Sequence, residues 1–113
     1  MKITTDYLRS LNACQHGIDA FKDLFPDGEA EFNSENFIIA RDEELDVDWL
    51  LEHIDDQSVL VTLSNDEDYS VRCGVAWNRN TPSATLAKLS KDESYWVRRG
   101  VKQNTAYKGA RTA

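Results

Sequence analysis

The sequence predicts an all-α fold, a short stack of helix pairs completed by an N-terminal helical cap. Three observations carry that prediction. The phrase V-R-C-G-V-A-W-N at residues 71–78 is echoed 26 positions later by V-R-R-G-V-K-Q-N at 97–104. Apolar residues recur at spacings of three and four through most of residues 4–54, which marks helices with one buried face. No stretch alternates apolar and polar residues for long enough to demand a strand.

Residues 4–14 read as a short helix with Tyr7, Leu8 and Leu11 on one side. Asn12, followed by Gln15, has the pattern of a capping box, and the helix it opens carries Ile18, Phe21, Leu24 and Phe25. Pro26-Asp27-Gly28 stops that helix, because proline resists a helix interior and glycine supplies a turn. Residues 29–33 read as a loop or a brief extended piece. Asn33 or Ser34 is placed to cap a helix carrying Phe37, Ile38 and Ile39, and Asp46 to cap the next, with Val47, Leu50, Leu51 and Ile54 at helical spacing.

From Asp56 onward the repeat governs. Leu60, Leu63, Ser64, Asp66, Val71, Arg72, Gly74, Val75 and Asn78 recur 26 positions on as Leu86, Leu89, Ser90, Asp92, Val97, Arg98, Gly100, Val101 and Asn104. Each copy reads as two short helices, 58–63 with 70–78 and 82–89 with 96–104. Thr81 is the predicted N-cap of the third of these, with Pro82 at the first helical position, where its missing N–H costs nothing. A glycine inside a helix costs about 1 kcal/mol against alanine. Its recurrence at Gly74 and Gly100 therefore predicts close helix–helix approach. Asn78 and Asn104 stand where an asparagine can close a helix in the left-handed conformation. A helix pair cannot bury its apolar face alone, so such units stack. With two clear copies, the preceding helices must complete the core. The expectation is one domain over 1–113, with a helical cap at 1–55, acidic from residue 27, and two repeats with a basic end at 56–113.

The phrase L-x-x-L-S-x-D-x-x-x-x-V-R-x-G-V-x-x-N, with N-T-P (80–82) closing its first copy, resembles the leucine-rich repeat variant, a bacterial two-helix repeat related to HEAT and armadillo units. The resemblance covers residues 58–104 and implies a HEAT-like stack that presents an extended binding surface. Leu45 and Trp49 fall at the positions of Val71 and Val75, as a weaker preceding unit would place them. The phrase A-C-x-x-G-x-x-x-F-x-x-x-F-P-D-G over Ala13–Gly28 looks like the opening of small phage and prophage proteins that carry such repeats. The chain departs from the repeat family in two ways. It has no cysteine-rich segment to ligate an iron–sulfur cluster, and its second copy reads N-T-A-Y-K in place of N-T-P, so stacking is expected to end there.

Charge is segregated. The net charge is −7, yet residues 27–68 hold fifteen acids and one base, whereas residues 69–113 hold nine bases and two acids. Such asymmetry bears on partners and solubility rather than on fold. Cys14 and Cys73 form no CxxC, which points to small core residues and to neither a disulfide framework nor a metal cluster. No cofactor is expected. No apolar run reaches the roughly 18 residues of a membrane span, and the first residues show no signal-peptide core. A cytoplasmic location and no membrane partner follow as expectations.

Catalysis is not expected. His16 and His53 are the only histidines, both predicted on helix surfaces, and no nucleophile–base constellation is legible. Asp66-Glu67-Asp68 lacks the glycine and glutamate of a calcium loop, since Val71 and Trp77 stand at those positions. The function expected is therefore a non-catalytic protein–protein interaction module of phage or prophage type. Two surfaces are candidates. The acidic one comprises Asp42, Glu43, Glu44, Asp46, Asp48, Asp55 and Asp56: either a solvated face or a surface that docks a basic partner by mimicking nucleic-acid phosphates. With the phage-like opening, its sharpest form is a small acidic inhibitor of a host defence complex. The basic and aromatic one comprises Arg99, Lys102, Trp77 and Trp96, a composition common in binding hot spots. Direct nucleic-acid binding through the basic repeats is a further alternative, opposed by the acidic block. Arg72 and Arg98 occupy the repeat's own position and are expected to bond neighbouring helix ends or the Asp66 and Asp92 turns. Head-to-tail self-association, basic end against acidic middle, is the remaining possibility.

Overall fold

Helix dominates residues 2–104, the part of the chain that a computed structural model describes, with eight helices and one two-stranded sheet. The largely helical class agrees with the sequence, and the sheet is the exception. Thr105, Lys108 and Arg111, and with them the altered end of the second repeat, lie outside the described residues. The chain divides into two compact units, Met1–Trp49 and Leu50–Ala113.

In the first unit, β1 (Lys2–Thr4) pairs antiparallel with β2 (Glu29–Glu31), Ile3 opposite Ala30. Those two residues are buried between exposed or half-exposed neighbours, so each strand contributes a single side chain to the core. Helix α1 (Thr5–Ser10) is shorter than the predicted 4–14. Thr4 Oγ1 accepts from Tyr7 N at 3.0 Å to start it, and Asn12, at φ 64°, ends it. Asn12 N donates to Arg9 O and Ala13 N to Leu8 O, the paired bonds of a Schellman closure. Asn12 therefore ends one helix rather than capping the next. Cys14 caps α2 (Gln15–Leu24), its Sγ accepting from Gly17 N at 3.4 Å. It is exposed and not the core residue its apolar neighbours predicted. Ile18 and Phe21 carry the buried face of α2. Helix α3 (Ser34–Asp42), capped by Asn33, buries Phe37 and Ala40 but leaves Ile38 and Ile39 49% and 39% exposed. Successive residues of a helix point about 100° apart, so these two turn away from the face that Phe37 fixes.

The division between units falls within α4 (Val47–His53). Its start is capped by Asp46, whose Oδ1 accepts from Trp49 N at 2.9 Å. Val47, Leu50, Leu51 and the following Ile54 are buried, whereas Leu45 and Trp49 are only half-buried, so the inward positions are not the two that the repeat alignment favoured. The second unit continues with α5 (Gln57–Leu63), α6 (Tyr69–Trp77), α7 (Ser83–Leu89) and α8 (Tyr95–Gln103). α7 and α8 begin and end 26 residues after α5 and α6. The repeat phrase therefore sets helix boundaries as well as residue types. Its recurrent leucines and valines, Leu60, Leu63, Val71, Val75 and their partners in the second copy, are at most 1% exposed.

The repeated glycines mark where helices touch. A Cβ on Gly74 would stand 2.6 Å from Leu51 Cβ, and one on Gly100 would stand 3.0 Å from Ala76 Cβ and from Trp77 Cδ1. Thus α6 lies against the end of α4, and α8 lies against α6 in the same manner. Gly74→Ala is expected to lower stability by about 1–2 kcal/mol, because overpacking of about 1–3 kcal/mol exceeds the helix propensity gained. Urea denaturation measures this. Leu51→Ala will not rescue it, since the nearest atom is the Cβ that alanine keeps; a Gly74→Ala protein as stable as the parent would contradict the contact.

Two local expectations need correction. Thr81 does not cap α7: its Oγ1 donates to Val75 O at 2.8 Å, and Pro82 stands at the N-cap with no side-chain bond. Asn78 and Asn104 are extended rather than left-handed, at φ −75° and −70°. Their amides reach to the preceding turn of chain instead. Asn78 Nδ2 donates to Leu51 O and Ile54 O at 2.8 and 2.9 Å, and Asn104 Nδ2 donates to Ala76 O and Asn78 O at 2.8 and 2.9 Å.

Candidate interaction surfaces

Arg72 shows how the two helix pairs are held. Its Nη1 donates to Asp66 O at 2.7 Å and Glu67 O at 3.0 Å, in the turn just before its own helix. Its Nε and Nη2 donate to the two carboxylate oxygens of Asp92, at 2.9 and 3.2 Å, in the turn of the following pair. Glu93 adds a looser contact at 3.8 Å. Both Arg72 and Asp92 side chains are 10% exposed, so this bidentate pair is a buried cross-link between consecutive units. The hydrogen bond to Asp92 raises the pKa of Arg72 further above its ordinary value. At Asp92, burial pushes the carboxyl up, but the bonds from Arg72 and Ser94 N–H outweigh it and leave the group below its ordinary value. The expectation that this arginine serves the stack is met, and Arg72 is not part of an open cationic stripe.

Arg98 repeats half of that arrangement. Its Nη1 donates to Asp92 O at 2.6 Å, as Arg72 does to Asp66 O, but among the described residues no carboxylate meets its other edge. Around it, the outer side of α8 exchanges apolar residues for charge. Where α6 has half-buried Cys73 and buried Ala76, α8 has exposed Arg99 and Lys102. A terminal unit needs such a polar outer face, which gives these two cations a structural reason as well as a functional one.

Aromatic side chains border this basic face. Trp96 is 56% exposed, Tyr95 53%, Tyr69 52% and Trp77 44%. Tyr95 and Trp96 rings lie 5.2 Å apart, and Trp96 and Arg99 are three residues apart on α8, hence neighbours on its surface. Trp77 is also a packing residue, since its indole borders Gly100. The two tyrosines were not singled out from sequence, although they are 26 residues apart and each opens the second helix of its pair. That recurrence was the available signal. A shallow groove of 330 Å³ lies at the C-terminal ends of α4, α6 and α8, lined by Glu52, His53, Trp77, Arg79, Gln103 and Asn104. His16 and His53 are both exposed, as predicted.

The acidic candidates are exposed throughout, but the division of the chain places them in different units. Asp42, Glu43, Glu44, Asp46 and Asp48 belong to the first, Asp55 and Asp56 to the second. Several have local roles. Glu44 takes the left-handed position that closes α3, at φ 64°. Asp46 caps α4, Asp48 pairs with Arg41 at 3.0 Å, and Asp56 caps α5. The bond from the Ser58 hydroxyl holds the Asp56 carboxyl below its usual range. Among the described residues, no three His, Cys, Asp or Glu side chains are grouped so as to hold a metal ion, and no helix is long and apolar enough to cross a membrane. No protein-family model, curated protein or solved structure matches the chain.

Proposed function

We propose that the chain is a non-catalytic protein–protein interaction module of phage or prophage type, a short HEAT-like stack that engages its partner through the aromatic and basic surface of α6 and α8. The observation that carries this reading is the exposure of four aromatic side chains, Tyr69, Trp77, Tyr95 and Trp96, beside Arg99 and Lys102. Exposed aromatic area on rigid helices, next to arginine, is the composition of binding hot spots. It costs little side-chain entropy to order. Arg72 supports a protein partner over nucleic acid, because the cross-link to Asp92 removes it from any phosphate-binding stripe and leaves only α8 to supply cations there.

A second reading rests on Asp42, Glu43 and Glu44, whose carboxylates have no hydrogen-bonding or ionic partner among the described residues. In it the acidic turn after α3 mimics phosphates and the chain acts as an inhibitor of a nucleic-acid-binding complex. Retention of bacterial lysate proteins on the immobilised chain, after nuclease treatment and over a salt series, tests both readings. Retention that survives nuclease and is lost with Trp96→Ala/Arg99→Ala supports the first. Retention lost on reversing residues 42–44 to lysine supports the second, and retention lost to nuclease alone supports direct nucleic-acid binding.

A further inference from the structure

The cross-link between helix pairs has two unused halves, one at each end of the repeat. The closed example joins Arg72 to the Asp92-Glu93 turn, with Asp92 2.9 Å from Nε and Glu93 3.8 Å from Nη2. Arg98 is the same residue one copy later, anchored in the same way on its own turn by Nη1 to Asp92 O. Its remaining edge has no carboxylate among the described residues. Asp66-Glu67 is the same turn one copy earlier. Asp66 Oδ1 accepts from Asp68 N at 2.9 Å, as Asp92 Oδ1 accepts from Ser94 N at 2.9 Å. The backbone carbonyls of that turn are bound by Arg72, but its carboxylates have no ionic partner among the described residues. The position 26 residues before Arg72, where a matching arginine would stand, is Asp46.

From these two open halves we infer that the chain associates with a second copy of itself, Arg98 of one copy receiving the Asp66-Glu67 turn of the next. This rests on the interaction-module reading above and names one partner for it. The charge distribution fits, with Arg99 and Lys102 flanking Arg98 and Asp68 adjoining the acidic turn. The contact is confined to the turn, because Leu51 already fills the surface of Gly74 and the second copy cannot lay α8 against α6. It is therefore mainly electrostatic and weakened by salt. Because the two halves are different surfaces, the contact is heterologous and continues beyond a dimer.

Sedimentation velocity and light scattering on the full chain, over a concentration series at low and high salt, test the inference. The expected result is a weight-average mass that rises above the monomer with concentration at low salt and returns to it at high salt. Arg98→Gln is expected to weaken association about tenfold or more, the loss of a charge-assisted bond. Asp66→Asn/Glu67→Gln, which keeps the turn's side-chain acceptor at 66, is expected to do the same from the other surface, and it carries the test if Arg98→Gln fails to fold. A monomer at every concentration and salt overturns the inference. So does association that persists in the Asp66→Asn/Glu67→Gln protein. Neither outcome touches the interaction reading itself, which retention of other proteins tests separately.

Discussion

Asp92→Ala is expected to lower the unfolding free energy by about 3–5 kcal/mol, the usual loss when one member of a buried ion pair is removed. The carboxylate is 10% exposed and receives two bonds from Arg72, so its deletion leaves a buried guanidinium edge with nothing opposite. The size of the loss comes from stranding that charge, not from the pair's own net attraction. Consequently, Arg72→Met/Asp92→Leu is expected to lose less than the sum of the single variants, since neither charge then remains. Urea denaturation of the four proteins gives the comparison, and additive losses would contradict the stranded-charge explanation. The acid limb follows from the same pair. The Asp92 carboxyl is held below its ordinary value of 3.8 in the folded protein. A depressed native pKa contributes stability that is complete above the unfolded-state value and lost as pH falls through the native one. Stability should therefore decline below about pH 4, and Asp92→Asn should flatten that decline.

Asn78→Ala is expected to cost about 3 kcal/mol, because it strands several buried groups at once. The side chain is fully buried. Its amide serves Leu51 O and Ile54 O, and its Oδ1 accepts from Asn80 N at 2.7 Å. Asn78→Gly separates this role from helix closure. Were Asn78 only a left-handed terminator, glycine would be neutral or better, whereas a residue that bridges to the end of α4 loses as much with glycine as with alanine. Asn78→Asp should be at least as damaging, since a carboxylate presents acceptors to two carbonyl oxygens. Thermal or urea unfolding of the three variants decides, and a glycine variant of parental stability would contradict the bridge.

These cases show what was legible in the sequence. A phrase repeated at a fixed interval constrains every position twice, so the helix boundaries, the buried valines, the close approach at Gly74 and Gly100 and the structural use of Arg72 all followed from it. Asn78 did not, because an asparagine at a helix end has the same local signature whether it turns the backbone or reaches across to a neighbouring helix. The strands were hidden because each buries one side chain, Ile3 or Ala30, and one residue has no period. Cys14 was misread since apolar neighbours in sequence do not fix which face of a turn a residue occupies; its sulfur caps a helix instead. On the surface, Trp77, Trp96, Arg99 and Lys102 were found by residue type alone. Tyr69 and Tyr95 were missed because an aromatic residue that recurs with the repeat is first counted as core, although a helix's opening residue often points outward.

The central claim is that the aromatic and basic surface of α6 and α8 binds a protein. Retention of nuclease-treated lysate proteins on immobilised parent chain and on the Trp96→Ala/Arg99→Ala variant tests it most directly. Each truncation at a hot spot costs about 2 kcal/mol or more, roughly thirtyfold in affinity. A salt-sensitive protein partner held by the parent and lost by the double variant, with helicity unchanged, is the predicted result. A partner retained equally by both proteins would contradict the claim.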